Sequence, residues 1–204
     1  MISREYRFIF VHIPKTGGNS VSRALLPYTE SRLEEAESPA GWGSGENFWT
    51  VDPVFGRDKH FTVDDYANVM DLRGYRLFTT VRNPWDRLVS LYFFRKQTKL
   101  LDWQSVGPEE FDKAEFLRFL PLAEPPQVAY LGARQVHVLR YERLQSDFAA
   151  MCRTLGLENV TLDRLNASRR PSYRDLLDAD LVAEIGRIYA ADVDRFGYRF
   201  ADPT

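Results

Sequence analysis

The sequence predicts an α/β fold of three layers, in which a central, mostly parallel sheet is flanked by helices. Three short apolar runs have the composition of strands buried on both faces, and each is followed by residues with helical spacing. Strands that alternate with helices pack as a parallel sheet covered by those helices. The 204 residues are enough for one sizeable core, so residues 1–204 are predicted to form a single domain.

The first two strands are predicted at residues 6–12 and 76–81. The first strand contains Phe8-Ile9-Phe10-Val11 and leads into a helix over residues 18–26. The second strand leads into a helix that begins at Asn83-Pro84, because asparagine is a favoured N-cap and proline fits the first helical position.

The third strand is predicted at residues 135–140, followed by a helix over residues 142–155 that Gly156 ends. Cys152 lies on the apolar face of that helix and is predicted to be part of the core. A last helix is predicted over residues 179–196, where apolar residues recur at helical spacing.

Two segments interrupt the alternation of strands and helices. Residues 28–59 are rich in glycine and proline, and residues 99–127 contain several prolines, so both are predicted to be loops or insertions. Long insertions at the ligand end of an α/β fold often determine which second substrate binds. A segment that merely covers the core is the alternative.

Composition excludes several classes of function. A net charge of −2 provides no general field for nucleic acid or an acidic membrane surface. The sequence shows no signal peptide and no apolar stretch of the roughly 18 residues that span a bilayer, so a cytoplasmic location is predicted. One cysteine and three histidines have no recognisable zinc spacing, so no metal site is predicted.

The most informative motif is His-Ile-Pro-Lys-Thr-Gly-Gly-Asn-Ser at residues 12–20, directly after the first strand. A turn from a strand into a helix presents backbone N–H groups and the positive end of the helix dipole, and Lys15 adds a full charge. Gly17 and Gly18 suit such a turn because a Cβ would restrict φ and keep a ligand away from the backbone. The motif predicts a phosphate-binding loop, and a tight turn without a ligand is the alternative. In a Walker A motif the lysine follows the glycines, whereas Lys15 precedes them here, so the sequence is not a Walker A motif.

A second motif, Arg82-Asn83-Pro84-Trp85-Asp86-Arg87-Leu88-Val89-Ser90, follows the second strand. A planar guanidinium and a hydroxyl together suit a phosphate group, so Arg82 and Ser90 are candidates for holding a second phosphate. The alternative is an Arg82 paired with a neighbouring carboxylate and a Ser90 that faces solvent.

In their order and separation, the two motifs resemble the donor-binding signatures of sulfotransferases that use 3′-phosphoadenosine 5′-phosphosulfate (PAPS). The first motif is most similar to the carbohydrate sulfotransferase branch. The resemblance implies an enzyme with a fold similar to that of P-loop NTPases, without a metal requirement. The implied reaction transfers a sulfuryl group from PAPS to an acceptor hydroxyl and releases adenosine 3′,5′-bisphosphate (PAP).

The resemblance also implies which residues bind the donor. Lys15 would stabilise negative charge on the bridging oxygen, and the N–H groups of residues 16–19 would hold the 5′-phosphate with the Thr16 and Ser20 hydroxyls. Arg82 and Ser90 would hold the 3′-phosphate. The predicted donor-binding residues are Lys15, Thr16, Gly17, Gly18, Asn19, Ser20, Arg82, Ser90, Tyr173 and Arg174.

The last two of these residues belong to a basic cluster with Arg169 and Arg170. The family uses a late basic loop to close over the donor phosphates, and a solvated surface cluster is the alternative.

A base must accept the proton of the acceptor hydroxyl, and histidine suits this role near neutral pH. His60 precedes a predicted helix with Thr62 as its N-cap, a position similar to that of the catalytic histidine in carbohydrate sulfotransferases. His60 is therefore predicted as the base, beside the catalytic Lys15, while His12 would orient the loop and His137 is predicted to be structural. Three carboxylates are alternative bases: Asp64, Asp65 and Glu142.

The acceptor is predicted to be a carbohydrate, a glycan precursor or another small molecule. Three tryptophans are candidates for stacking on a sugar ring, and a place in the core is the alternative: Trp42, Trp49 and Trp103. Two other functions stay open at this point, namely a phosphotransferase or nucleotide kinase of the P-loop class and a non-catalytic nucleotide-binding protein of the same fold. The sequence makes no prediction of the oligomeric state.

Overall fold

The computed structural model describes residues 1–35, 48–58, 60–98, 100–101, 106–158, 160–163 and 170–202. The strands are β1 (Ile2–Ser3), β2 (Phe8–Val11), β3 (Arg32–Glu35), β4 (Phe48–Asp52), β5 (Gly56–Arg57), β6 (Arg76–Val81) and β7 (His137–Arg140). The α-helices are α1 (Gly18–Leu25), α2 (Val63–Val69), α3 (Pro84–Gln97), α4 (Lys113–Phe119), α5 (Leu144–Leu155), α6 (Tyr173–Leu176), α7 (Ala179–Ile188) and α8 (Ala190–Phe196). Two compact units result: unit 1 spans Met1–Val81 and Gln127–Ala167, and unit 2 spans Arg82–Pro126 and Ser168–Thr204.

Unit 1 is built on a four-stranded sheet in the order β1-β2-β6-β7. The strands β2, β6 and β7 are parallel, with Val11 opposite Thr79 and Val81 opposite Arg140. The short β1 is antiparallel to β2 and has too few residues for a sequence signal. The three parallel strands are those predicted, and the α/β fold with a mostly parallel sheet flanked by helices is confirmed.

One face of this sheet carries the hydrophobic core of unit 1. Phe10 of β2 and Phe78 of β6 have ring centroids 5.3 Å apart, and they pack in one cluster with α1 and α5. Both helices are confirmed, and α5 ends at Gly156, which has a left-handed φ of 70°. Cys152 lies in this core as predicted, where burial raises the pKa of its thiol to about 11.

Residues 28–59, predicted as a loop, instead contain a second, antiparallel sheet in the order β3-β4-β5. The β4 sequence Phe-Trp-Thr-Val-Asp consists mainly of strand-favouring residues, but glycine-rich residues before it obscure that signal. Asp52 at the end of β4 accepts a hydrogen bond from the Tyr66 hydroxyl of α2 at 2.6 Å. Trp49 lies in β4, whereas Trp42 and Trp103 lie outside the described residues.

Unit 2 contains α3, α4, α6, α7 and α8. The start of α3 is confirmed, since the Trp85 N–H donates to the Asn83 side chain at 3.2 Å. The segment 99–127, predicted as an insertion, contains the regular helix α4. Lys96 of α3 and Glu115 of α4 form a buried ion pair at 2.9 Å, which joins the two helices.

The last helix, predicted as one element over residues 179–196, is two helices. Tyr189 separates α7 from α8, with φ −105° and ψ 26°. Its hydroxyl donates to the Glu124 carbonyl at 2.6 Å. Apolar spacing continues through the break, so periodicity alone predicts one helix, and the tertiary hydrogen bond of Tyr189 leaves no local signal.

Candidate active site

The loop between β2 and α1 has an uncommon backbone conformation. Lys15 has φ 65° and Gly17 has φ 85°, both in the left-handed region. That conformation has no steric cost for glycine and costs about 1–2 kcal/mol for a residue with a Cβ. Gly17 is the N-cap of α1, and the N–H groups at the start of a helix point out of its N-terminus. The sharp turn therefore ends at a helix terminus suited to an anion.

The two glycines of the loop serve different purposes. A Cβ on Gly17 would lie 2.9 Å from Leu144 Cδ2 and 3.0 Å from Tyr141 Cδ2, in addition to the strain of its left-handed φ. Gly18 is not left-handed, but a Cβ there would lie 2.1 Å from His12 Cδ2. The left-handed backbone expected of the pair is thus present at Gly17 only, and Gly18 makes room for the His12 ring.

The Thr16 side chain is fully buried and holds the loop in place. Its hydroxyl donates to the Ile13 carbonyl at 2.8 Å and lies 2.6 Å from the Thr80 hydroxyl of β6. A hydroxyl has one proton, so Thr80 is the donor in the second contact. The Thr16 hydroxyl therefore donates to one protein group, the Ile13 carbonyl, and accepts from another, the Thr80 hydroxyl.

The six loop residues predicted to bind the donor alternate in exposure. The half-buried residues are Lys15, Gly17 and Asn19. The buried residues are Thr16, Gly18 and Ser20. The Ser20 N–H donates to the Gly17 carbonyl at 3.2 Å, which begins the first turn of α1.

His60 is hydrogen-bonded to the first residue of this loop. Its Nδ1 lies 2.9 Å from the His12 carbonyl oxygen, and the two imidazole rings meet edge to face with centroids 5.0 Å apart. Because a carbonyl only accepts, Nδ1 carries the proton, and Nε2 is the basic nitrogen of the neutral ring. The structure thus brings His60 to the predicted phosphate loop.

The helix start next to His60 is confirmed. Thr62 is the N-cap of α2 and forms a capping box with Asp65. The Asp65 carboxylate accepts from both the Thr62 N–H and the Thr62 hydroxyl at 2.7 Å. The carboxylate of Asp65, one of the alternative bases, therefore stabilises the N-terminus of α2.

In unit 2, Arg82 shares a carboxylate with a second arginine. Arg82 Nε donates to Asp86 Oδ2 at 2.7 Å, and Arg170 Nη2 forms an ion pair with Asp86 Oδ1. All three side chains are largely buried. Burial of the Asp86 carboxyl opposes its ionisation, but the Arg82 and Arg170 guanidinium groups outweigh this and lower its pKa. Arg82 thus forms the ion pair with a neighbouring carboxylate that the sequence analysis gave as the alternative to phosphate binding. The Arg170 guanidinium binds the same carboxylate.

The other predicted donor-binding residues of unit 2 have varied surroundings. Ser90 is buried rather than solvent-facing, with 7% of its surface exposed. The buried Tyr173 donates its hydroxyl to the Phe200 carbonyl at 2.8 Å. The exposed Arg174 donates to the Ala201 and Asp202 carbonyls. Arg169 lies outside the described residues.

The sequence model of the Sulfotransferase family matches residues 1–128, which include His60 and both motifs predicted to bind phosphate. The chain belongs to the sulfotransferase family. This membership confirms the resemblance of the two motifs and the prediction of a PAPS-dependent sulfotransferase. Family membership therefore supports sulfuryl transfer over the two other functions considered from the sequence, a phosphotransferase activity and non-catalytic nucleotide binding.

Among solved structures, this sulfotransferase is similar to mouse sulfotransferase SULT7A1 complexed with PAP. The likeness has a TM-score of 0.49 and 13% sequence identity, and it covers 98% of this chain and 87% of that chain. No curated protein sequence matches the chain.

Two other features are absent from the described part of this sulfotransferase. No group of three or more His, Cys, Asp or Glu side chains is arranged to hold a metal ion there. None of the helices described has both the length and the apolar character needed to cross a membrane.

Sequence reasoning missed one residue in each unit that holds a predicted site residue in place. Asp86 lies in the first turn of α3, four positions after Arg82, and a carboxylate this close to an arginine in sequence was available as a signal. Thr80 lies one residue before the end of β6, and nothing local indicates that it meets Thr16.

Proposed function

We propose that this sulfotransferase moves the sulfuryl group of PAPS to a hydroxyl of a carbohydrate or glycan precursor. The observation that carries the proposal is the hydrogen bond from His60 Nδ1 to the His12 carbonyl at 2.9 Å. It holds a histidine beside the loop that resembles the carbohydrate branch of the family. In that branch, a histidine at this position of the sequence is the base.

The loop residues suit the anionic 5′ end of the donor. Lys15 and the N–H groups of residues 17–19 would bind the phosphosulfate, since a lysine and a helix N-terminus both favour negative charge. Thr16 would contribute its N–H, because its hydroxyl already donates to the Ile13 carbonyl. The Ser20 hydroxyl would complete the set.

The arginine pair suits the 3′-phosphate. Arg82 and Ser90 would bind this group, as the resemblance implies, and Arg170 would join them because it shares Asp86 with Arg82. Two guanidinium groups match a phosphate dianion better than one. Tyr173 and Arg174 stay predicted donor ligands, and binding would require them to exchange their present carbonyl partners at residues 200–202.

The proposed reaction is an in-line displacement at sulfur. The acceptor oxygen forms a bond to sulfur while the bond between sulfur and the bridging oxygen breaks, and PAP leaves with that electron pair. Lys15 stabilises the negative charge that develops on the bridging oxygen. His60 Nε2 takes the proton of the acceptor hydroxyl.

A transfer assay with radiolabelled PAPS tests the proposal, with saccharides compared against phenols as acceptors. We expect saccharides to be sulfated and His60→Ala to lower kcat by about 100-fold or more. PAP affinity, measured by calorimetry, should stay within about twofold. The matched control is His137→Ala, since His137 is an exposed histidine of β7. Transfer to phenols alone would contradict the acceptor class, and an unchanged kcat in His60→Ala would remove His60 as the base.

A further inference from the structure

His12 is enclosed by three groups of unit 1, and only 4% of its surface is exposed. Its ring stacks on Phe10 with centroids 5.9 Å apart and meets the His60 ring at 5.0 Å. Its Cδ2 and Nε2 atoms lie 2.1 and 2.3 Å from where a Cβ on Gly18 would be. The imidazole therefore lies between the first residue of α1 and the His60 ring.

We propose that His12 is a positioning residue, whose imidazole ties the orientation of the base to the phosphate loop. This inference rests on the proposed function, since it takes His60 as the base. His12 acts in it through His60 and Gly18.

The backbone carbonyl and the imidazole ring of His12 each contact His60 and restrict its orientation in different ways. The His12 carbonyl accepts from His60 Nδ1 at 2.9 Å and so fixes one atom of the base. By itself, that hydrogen bond fixes the position of Nδ1 and does not fix the plane of the His60 ring. The His12 ring, packed edge to face against it at an interplanar angle of 69°, restricts the orientation of that plane. The direction of His60 Nε2 is then set relative to the start of α1, where the donor would bind.

His12→Ala isolates the contribution of the ring, because the carbonyl that accepts from His60 remains. We expect kcat to fall about tenfold and the PAPS KM to stay within about twofold, since misplacing a catalytic group by about 1 Å has effects of up to about 100-fold. In a His60→Ala background, His12→Ala should lower kcat no further, because no base is left to orient.

Gly18→Ala perturbs the same ring from its other side. The new Cβ would collide with His12, so we expect weaker PAP binding and a lower kcat. Adding His12→Ala removes the collision and should restore PAP affinity to within about twofold of the wild type, while kcat stays about tenfold low. This split separates the steric contact of the ring with Gly18 from its effect on kcat.

Several results would overturn the inference. The first is a fall in kcat caused by His12→Ala that is equally large in the wild-type and His60→Ala backgrounds. The second is a His12→Ala variant that loses PAP affinity while its kcat is unchanged. If His12→Ala does not fold, Gly18→Ala in the two His60 backgrounds gives the same comparison. An unchanged kcat in His60→Ala alone is a separate result, which contradicts the proposed base and not the packing of His12.

Discussion

Arg82 and Asp86 form a buried ion pair four residues apart, with Arg82 Nε 2.7 Å from Asp86 Oδ2. The second carboxylate oxygen of Asp86 binds Arg170, which lies 84 residues further along the chain. One carboxylate therefore arranges two cations in unit 2.

We expect Asp86→Asn to weaken PAP binding about tenfold, because the amide presents an NH2 donor in place of one carboxylate oxygen and so loses its hydrogen bond to one of the two guanidinium groups. Affinity for AMP, which lacks the 3′-phosphate, should change by less than about twofold. Calorimetric titration of both nucleotides measures the difference. The matched control is Asp194→Asn, an exposed aspartate of α8. Unchanged or tighter PAP binding would mean that Asp86 only competes with the phosphate for the two arginines.

The contribution of Asp86 to stability should disappear in acid. Its folded pKa lies below its usual value, and the unfolded value is about 3.9. The carboxylate therefore stabilises the fold fully above about pH 5 and loses this effect as the pH falls through the folded pKa. Urea unfolding of the wild type and Asp86→Asn should show a constant gap in free energy above about pH 5 and a narrowing gap below about pH 4. A gap independent of pH would assign the effect to packing.

Lys15→Ala and Lys15→Gly separate the charge of Lys15 from its backbone conformation. Both variants remove the amine and should lower kcat by about 100-fold or more. Lys15→Gly should be more stable than Lys15→Ala by about 0.5–1 kcal/mol, because relief of left-handed strain exceeds the greater unfolded-state entropy of glycine. Urea unfolding and transfer assays measure the two effects. Normal transfer by either variant would exclude Lys15 from catalysis.

Gly17→Ala should cost more stability than Gly156→Ala. Both glycines are left-handed, with φ 85° and 70°, but only at Gly17 would a Cβ meet other atoms. The shared strain should lower the free energy of unfolding by about 0.5–1 kcal/mol in each variant. The collision with Leu144 and Tyr141 should cost Gly17→Ala about 1–3 kcal/mol more. Equal losses in urea unfolding would show that the loop adapts to a Cβ.

Helix starts were predictable where the capping chemistry is local. Asn83 and Thr62 each accept a backbone N–H within three residues of their own position, so the sequence alone contains both partners. The break at Tyr189 and the strand β4 were not predictable in this way. At Tyr189 the hydroxyl binds the Glu124 carbonyl, 65 residues away in sequence, and before β4 the glycine-rich residues conceal the strand signal.

The sequence by itself determined the three parallel strands and the sharp turn from β2 into α1, because buried strands need apolar runs and a sharp strand-to-helix turn needs glycine. Only the tertiary structure decided which groups these residues meet. His60 binds a carbonyl 48 residues away, Thr16 a hydroxyl 64 residues away and Arg170 a carboxylate 84 residues away. Contacts of this range depend on how the elements pack, and no local pattern of residues specifies them.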